Sequence, residues 1–225
     1  MRKFLSISSI LALTAFGAGS FQASAAEATV PLKIKLPQHT IKGTPEDLPA
    51  GPNIEPPPKT APALPKVPEG VENVALGKPV TSSVSPYTGE LSQITDGRRE
   101  PLDEDVVEFK RGFHWVQVDL GESFEIYAMA MWHDHRLLQA FHDVILQVSN
   151  DPEFKEGVTT VYNNDTDNSS NLGIGRDREY FELEFGRVLP VKGVKARYVR
   201  GYTKGSSLSA INCWQEIEVY ALPAK

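Results

Sequence analysis

From Pro68 onward the chain is written in short runs of alternating apolar and polar residues, broken by Gly, Pro, Asn and Asp. A period of two sends every second side chain to the same face of an extended strand, so each run predicts a strand buried on one side. Trp115 to Leu120 sets Val116, Val118 and Leu120 on one face. Phe124 to Trp132 sets Ile126, Ala128, Ala130 and Trp132 on one side and Tyr127, Met129 and Met131 on the other. Val144, Leu146 and Val148 alternate with Ile145, Gln147 and Ser149. Further strands are predicted at Thr159 to Tyr162, Glu179 to Phe185, Ala196 to Tyr202 and Gln215 to Leu222. Seven or eight short strands, regular turn signals and no amphipathic helix predict an all-β sandwich or barrel. The polar stretch Asn163 to Asn171 reads as a long loop.

Before Pro68 the pattern is different. Eleven of the 17 prolines lie between Pro31 and Pro68. Proline lacks the amide hydrogen that a sheet or helix needs, so residues 27–69 predict an extended, semi-rigid linker. Val30 to Pro37 alternates apolar residues, and the other reading makes it an arm lying along a sheet. Residues 1–26 read as a cleaved signal peptide: Arg2 and Lys3, an apolar stretch from Phe4 to Phe16, then Ala23-Ser24-Ala25 as the cleavage motif. The apolar stretch is too short to span a bilayer, and no later segment is apolar enough to try. A secreted or periplasmic protein is expected.

Charge and cysteine usage narrow the class. The formal charge is −6, and removing Arg2 and Lys3 with the signal makes it −8. A chain of that sign has no net attraction for phosphate, which argues against nucleic acid as the partner. The basic run from Lys192 to Arg200 reads as a strand with a solvated face. Cys213 is the single cysteine, so no intramolecular disulfide exists and stability must come from the core, which about 150 residues can supply.

Five strings fall in a fixed order: NVALGKPVTSS (Asn73 to Ser83), ITDG (Ile94 to Gly97), WVQVDLG (Trp115 to Gly121), ARYVR (Ala196 to Arg200) and EIEVY (Glu216 to Tyr220). In this order residues 70–223 resemble the discoidin, or factor V/VIII C-type, domain, whose relatives include galactose-binding carbohydrate modules. The resemblance implies an antiparallel β-sandwich jelly roll that binds through loops at one end, with both termini leaving near one another. Many animal members carry a terminal disulfide that this chain lacks. The resemblance also implies a structural calcium ion, with Asp96 in the DG turn and Glu216 at the start of the last strand as matching positions. This chain departs from the pattern after Asp96 with a long insertion from Arg98 to His114, whose Asp103, Glu104, Asp105 and Glu108 are further carboxylate donors. Calcium takes six to eight oxygens, so two carboxylates with loop carbonyls make a chemically suitable cage.

For the ligand end, loop position and chemistry select Trp132, His133, His135, Arg136 and Phe141 from one strand-turn-strand unit, and Asp165, Asp167 and Asn168 from the polar loop. Polar groups of this kind grip sugar hydroxyls while an aromatic ring covers the apolar sugar face. Tyr87 and Tyr202 are further aromatic candidates. The bland alternative makes Trp132 core and has the Asp and Asn residues bonding their own turns. Signatures of catalysis such as GxSxG, a phosphate loop or HExxH are missing. The expectation is therefore a non-catalytic carbohydrate-binding protein. Two alternatives stay open: an adhesion or assembly protein that binds another protein or lipid head groups through Leu137, Leu138 and Phe141, and a metal-dependent enzyme built on His133, His135 and His142.

Overall fold

A computed structural model describes residues 28–37 and 51–224; the expected signal peptide lies outside the described residues. Two long strands organise the molecule, β6 (His114–Trp132) and β9 (Arg187–Thr203), antiparallel from His114↔Thr203 to Met131↔Arg187. Their register breaks between Asp119 and Phe124, where Gly121 takes a positive φ of 90°. Such irregularities bend strands and let one strand serve two layers. On the free edge of β6, the first half pairs with β4 (Val80–Ser82) and the second half with β11 (Glu216–Pro223). Beyond β9 lie β7 (Ile145–Ser149) and then β8 (Thr159–Asn163); beyond β11 lies β3 (Glu72–Asn73).

The seven-stranded sheet thus folds over on itself into an antiparallel β-sandwich. Val116, Val118 and Leu120 from the first half of β6 share one buried core with Met129 and Met131 from its second half, and with Leu146, Val199, Ile217 and Val219. A two-stranded ribbon, β5 (Val107–Phe109) with β10 (Asn212–Trp214), closes one side. Near the other end of β11, Glu72 pairs with Ala221 and Pro223 with Phe124, which places the start and the end of the sandwich side by side. Cys213 is free and buried, and burial pushes its thiol pKa up. Among the described residues no helix is long and apolar enough to cross a membrane.

Three expectations are corrected. Ile126 does not share a face with Ala128. A second register break between Ile126 and Ala128 puts Ile126 in the main core and turns Ala128, Ala130 and Trp132 outward. Glu179 to Phe185 is not a strand: Tyr180, Phe181 and Leu183 are buried, yet the backbone makes only isolated bridges, from Glu179 to Ile54 and from Phe181 to Ala140. Its neighbours are loops, which offer no ladder to join.

The third concerns the proline-rich segment, whose described part is docked rather than free. β1 (Thr29–Pro31) pairs with β2 (Lys66–Pro68), and Leu32 and Val67 are buried against Ala128, Ala130, Trp132 and Tyr220. The outward face of β6 is apolar, and its alanines let a second layer approach closely. Covering it is worth about 1.5–3 kcal/mol for each large side chain buried. Further along, Glu55 and Glu179 exchange backbone bonds with their neighbours (Glu55 N–H to Glu179 O, 2.8 Å; Glu179 N–H to Asn53 O, 2.9 Å), and Arg187 holds the Glu55 carboxylate with two bonds of 2.8 and 3.0 Å. Proline denies this segment a long ladder, so it binds by side chains and a few backbone bonds.

Candidate functional site

The β5–β10 ribbon divides the loop end into two polar regions. At its Trp214 end, chain segments from the Arg98–His114 insertion and from residues 133–143 close over the end of β6. Five of the eight residues expected to meet a ligand lie inside this packing or inside the polar loop, which corrects that expectation. Trp132 is 0% exposed; its indole N–H donates to the Glu184 carbonyl at 3.1 Å, and the Arg99 guanidinium sits 5.3 Å above its ring. His133 is buried, stacked on Phe141 (4.7 Å between centroids) and against Trp214 (4.2 Å), with Nδ1 2.6 Å from the equally buried Glu182 carboxylate. Phe141 is therefore core. His135 is buried, its Nε2 2.9 Å from the Arg99 carbonyl. Asp165 is buried and accepts bonds from the Ser169 and Ser170 amides at 3.1 and 2.9 Å, which help hold its carboxyl below the usual range against the opposing effect of burial.

The other three reach the surface in part. Arg136 is clamped by Asp134 (2.8 and 2.9 Å) and Asp103 (2.6 Å), so its donors are committed. Asp167 is exposed, and Asn168 takes a positive φ of 59° with its side-chain oxygen accepting the Gly173 amide. This is the turn chemistry expected of Asn and Asp.

The histidines do not converge. His142 pairs with Glu179 at 2.6 Å, apart from the buried pair. The one group of three acids or histidines with metal-like spacing among the described residues is Asp143, Asp165 and Asp167, with ligand oxygens within 4.8 Å of each other. Lys204 already places its ammonium 3.4 Å from Asp143 and 2.9 Å from the Ser169 hydroxyl beside it.

Asp96 and Glu216 are brought together by the DG turn. Asp96 follows a short 3₁₀ turn (Leu91–Thr95) and its carboxylate accepts the Arg98 amide at 2.8 Å. Gly97, at φ 83°, points its amide at both oxygens of Glu216, 3.2 Å from each. Glu216 is fully buried. Burial first, then the neighbouring Glu218 and Asp96, pushes its pKa up to about 9, against the opposing Gly97 amide and Arg99. Arg99 bonds Glu218, which also accepts the Tyr220 hydroxyl at 2.7 Å. Glu216 is left with one shared amide and no bonded cation. A buried carboxylate in that condition suits a cation beside it, or else a proton.

The second region, at the Asn212 end of the ribbon, is open. A broad groove of about 620 Å³ is lined by Tyr87, Lys110, Arg111, Ser209, Ala210 and Ile211. Three loops build it and each is tied down. The Tyr87 amide bonds the Glu108 carbonyl and the Glu108 amide the Thr88 carbonyl, both at 3.0 Å. The buried Asn212 side chain donates to the carbonyls of Lys110 (3.0 Å) and Gly112 (2.8 Å) and accepts the Gly205 amide (2.6 Å). Gly205 sits at φ 73° with Ser209 O and Ala210 Cα so close that any Cβ would meet them at 2.8 and 3.0 Å. The groove is thereby preorganised, which lowers the entropy lost on binding.

Tyr87 is 47% exposed and donates its hydroxyl to Glu108 at 2.5 Å, which raises the phenol pKa to about 12. Its ring face stays open while its polar tip is fixed. Tyr202, the other aromatic candidate, is buried and stacks on Phe113 at 5.3 Å. Sequence reasoning missed Lys110, Arg111 and Ile211. The signal for the first two was the basic end, Lys110-Arg111, of the same insertion whose acids are candidate metal donors; Ile211 carries no signal of its own.

No protein-family model matches the chain, and no curated protein matches it. Among solved structures it is similar to a family 89 glycoside hydrolase from Clostridium perfringens, at 17% identity and a TM-score of 0.51, over 68% of this chain and 15% of that one. It is also similar to chitosan-binding module 1 of a chitosanase/glucanase from Paenibacillus sp. IK-5 (22% identity, TM-score 0.47, 67% and 99% covered). A third is a fucolectin from the serum of striped bass, Morone saxatilis (18% identity, TM-score 0.49, 69% and 50% covered). The chain spans only a small part of the hydrolase it matches. At 17% identity the likeness to the hydrolase shows a shared fold and nothing more.

Proposed function

We propose that this chain is an exported, non-catalytic carbohydrate-binding protein of the discoidin type, and that its ligand sits in the groove lined by Tyr87, Lys110, Arg111 and Ile211. The observation that carries this reading is the groove itself: an exposed aromatic face and free polar donors held rigidly by loops at one end of a sandwich. An aromatic ring supplies flat apolar area for a sugar ring at low entropic cost, while the surrounding donors bond its hydroxyls. Each hydroxyl bond exchanges water for protein at a net gain of only about 0.5–1.5 kcal/mol, so a shallow site of this size binds weakly. Neighbours that bind chitosan, and a neighbour described as a fucolectin, support the ligand class. Export rests on the pattern of residues 1–26.

A structural calcium ion is part of the proposal. Asp96 and Glu216, with carbonyls of the adjoining turn, would hold it; bound there, the ion supplies the positive charge that the Glu216 carboxylate lacks, and fixes the DG turn. The test is a broad glycan-binding screen of the full chain with and without chelator. The expected result is binding to a defined set of glycans, lost in Tyr87→Ala while the unfolding free energy changes by less than about 0.5 kcal/mol, as befits an exposed side chain. Calcium should raise the melting temperature of the unsubstituted protein but not that of Glu216→Gln. Glycan binding untouched by Tyr87→Ala would move the site elsewhere.

A further inference from the structure

Several arginines among the described residues are paired with carboxylates. Arg98 faces Asp105, Arg99 bonds Glu218, Arg136 bonds Asp134, Arg187 bonds Glu55 and Arg197 bonds Asp119. Lys110 and Arg111 are not so paired, and unlike Arg200, which bonds Gln117 and the Pro152 carbonyl, their side chains meet no bonded partner among the described residues. They are adjacent, exposed and without a carboxylate partner among the described residues, and they stand on the rim of the one groove described above.

No acidic residue lines that groove. The nearest carboxylate, Glu108, is engaged by the Tyr87 hydroxyl at 2.5 Å and lies 3.5 Å from the Arg136 guanidinium. The backbone under Lys110 and Arg111 is also fixed: the Lys110 carbonyl is held by Asn212 and the Arg111 carbonyl lies 3.3 Å from the His114 ring nitrogen. Two cations are therefore presented from a rigid loop beside an open aromatic face and the apolar Ala210 and Ile211.

We infer that this groove selects an anionic glycan, one whose sugar ring lies on Tyr87 while its carboxylate or sulfate group meets Arg111 and Lys110. This rests on the carbohydrate-binding reading and narrows it. The guanidinium offers a planar fork that matches a carboxylate or sulfate with two parallel bonds; the ammonium adds a point charge. Neutral sugars would meet both cations through hydroxyl bonds alone and gain no charge–charge attraction from them. Because the contacts are at the surface, the attraction weakens as salt shortens the screening length.

The test measures affinity of the full chain for polygalacturonate (carboxylate), heparin (sulfate) and a neutral galactan at two salt concentrations. It compares the unsubstituted protein with Lys110→Gln/Arg111→Gln and with Arg111→Lys. Both positions are exposed, and unchanged near-UV circular dichroism would show that the variants fold. The expected result is preference for one or both anionic glycans, at least a tenfold loss in the double variant with a flattened salt dependence, and an intermediate loss for Arg111→Lys. Polygalacturonate against heparin identifies which anion is read. Equal or better binding of the neutral galactan, or anionic binding unaffected by the double substitution, overturns the inference and leaves the carbohydrate reading in place. No binding to any of the three overturns both. Lys110- and Arg111-dependent sedimentation with phosphatidylserine vesicles, without glycan binding, would assign the groove to lipid instead.

Discussion

On one side of the β5–β10 ribbon, Trp132, His133, His135 and Glu182 fill a buried polar region that the partly exposed Arg136 closes. On the other side Tyr87, Lys110 and Arg111 face solvent. Both regions combine aromatic and basic side chains at the loop end, and from composition alone either would serve as a binding site. They differ in where the hydrogen-bonding capacity goes. In the sealed region His133 meets Glu182, Arg136 meets Asp134 and the Trp132 indole meets Glu184, while His133 Nε2, His135 Nδ1 and Gln215 Oε1 are buried with no bonded partner among the described residues. In the open groove the backbone is answered and the Tyr87 hydroxyl meets Glu108, while the Lys110 and Arg111 side chains stand in solvent. Charges paired away from water mark structure, and unpaired cations on a rigid frame mark recognition.

Replacing Trp132 is the hardest test of that contrast. Trp132→Ala removes the largest side chain joining the arm to the sheet and should destabilise the protein by about 3–5 kcal/mol in urea denaturation, the range for large-to-small changes in a core. At temperatures where the variant is still folded, its glycan affinity should equal that of the unsubstituted protein. The reverse pattern, stability kept and binding lost, would return Trp132 to the role its sequence position suggested and erase the distinction between the two regions.

Glu216 sharpens the comparison because it is a sealed carboxylate that no cation bonds among the described residues. Its folded pKa, about 9, lies above the ordinary 4.5. A raised pKa means the folded state holds the proton more tightly than the unfolded chain. The stability it contributes is therefore complete below about pH 4.5 and is lost as pH rises toward 9. In chelator, Glu216→Gln, which mimics the protonated form, should leave stability unchanged near pH 4 and raise it at pH 9. The gain would be on the order of a few kcal/mol, since each pKa unit corresponds to about 1.4 kcal/mol. Calcium should shrink that gain by stabilising the ionised carboxylate. Thermal melts across this range, with and without calcium, read both effects; a flat difference would mean Glu216 is compensated by a neighbour.

These cases also show what was legible beforehand. The strands around Val116, Val118 and Leu120 follow from period-two patterning, because alternation is local; the meeting of the DG turn with the last strand spans 119 residues and was implied only by the resemblance that the ordered strings carry. Ile126 went to the wrong face because one register break, invisible in hydropathy, reverses every later side chain. The histidines were read as exposed because polar loop residues usually are. Their burial depends on the insertion from Arg98 to His114 folding over them, a non-local event. The arm was ambiguous for a related reason: its prolines argue against a sheet, whereas the bare apolar face that Leu32 and Val67 cover becomes visible only once β6 is built.

The smallest effect lies where sealed and open character meet, at His142. Its Nδ1 is 2.6 Å from Glu179, and that bond outweighs burial in raising the imidazole pKa above 6.5. Around the pair, Asp143 adds to the rise and Lys204 opposes it. A histidine with a raised pKa contributes stability below its unfolded value, and this is lost as pH climbs through the folded one. The imidazole side chain is 41% exposed, so screening should hold the contribution to under about 1 kcal/mol. Glu179 also exchanges backbone bonds with Asn53 and Glu55, so the pair sits directly behind the docked proline-rich segment. Because Leu32, Val67 and Ile54 bury apolar surface at any pH, His142→Gln should soften the decline in stability as pH rises above about 6.5 without releasing the segment. Hydrogen exchange at the Leu32 amide, which bonds the Pro65 carbonyl at 2.9 Å, would read this directly. Protection that collapses in the variant would mean the segment is held by charge, and that its apolar contacts are too weak to seal the face of β6.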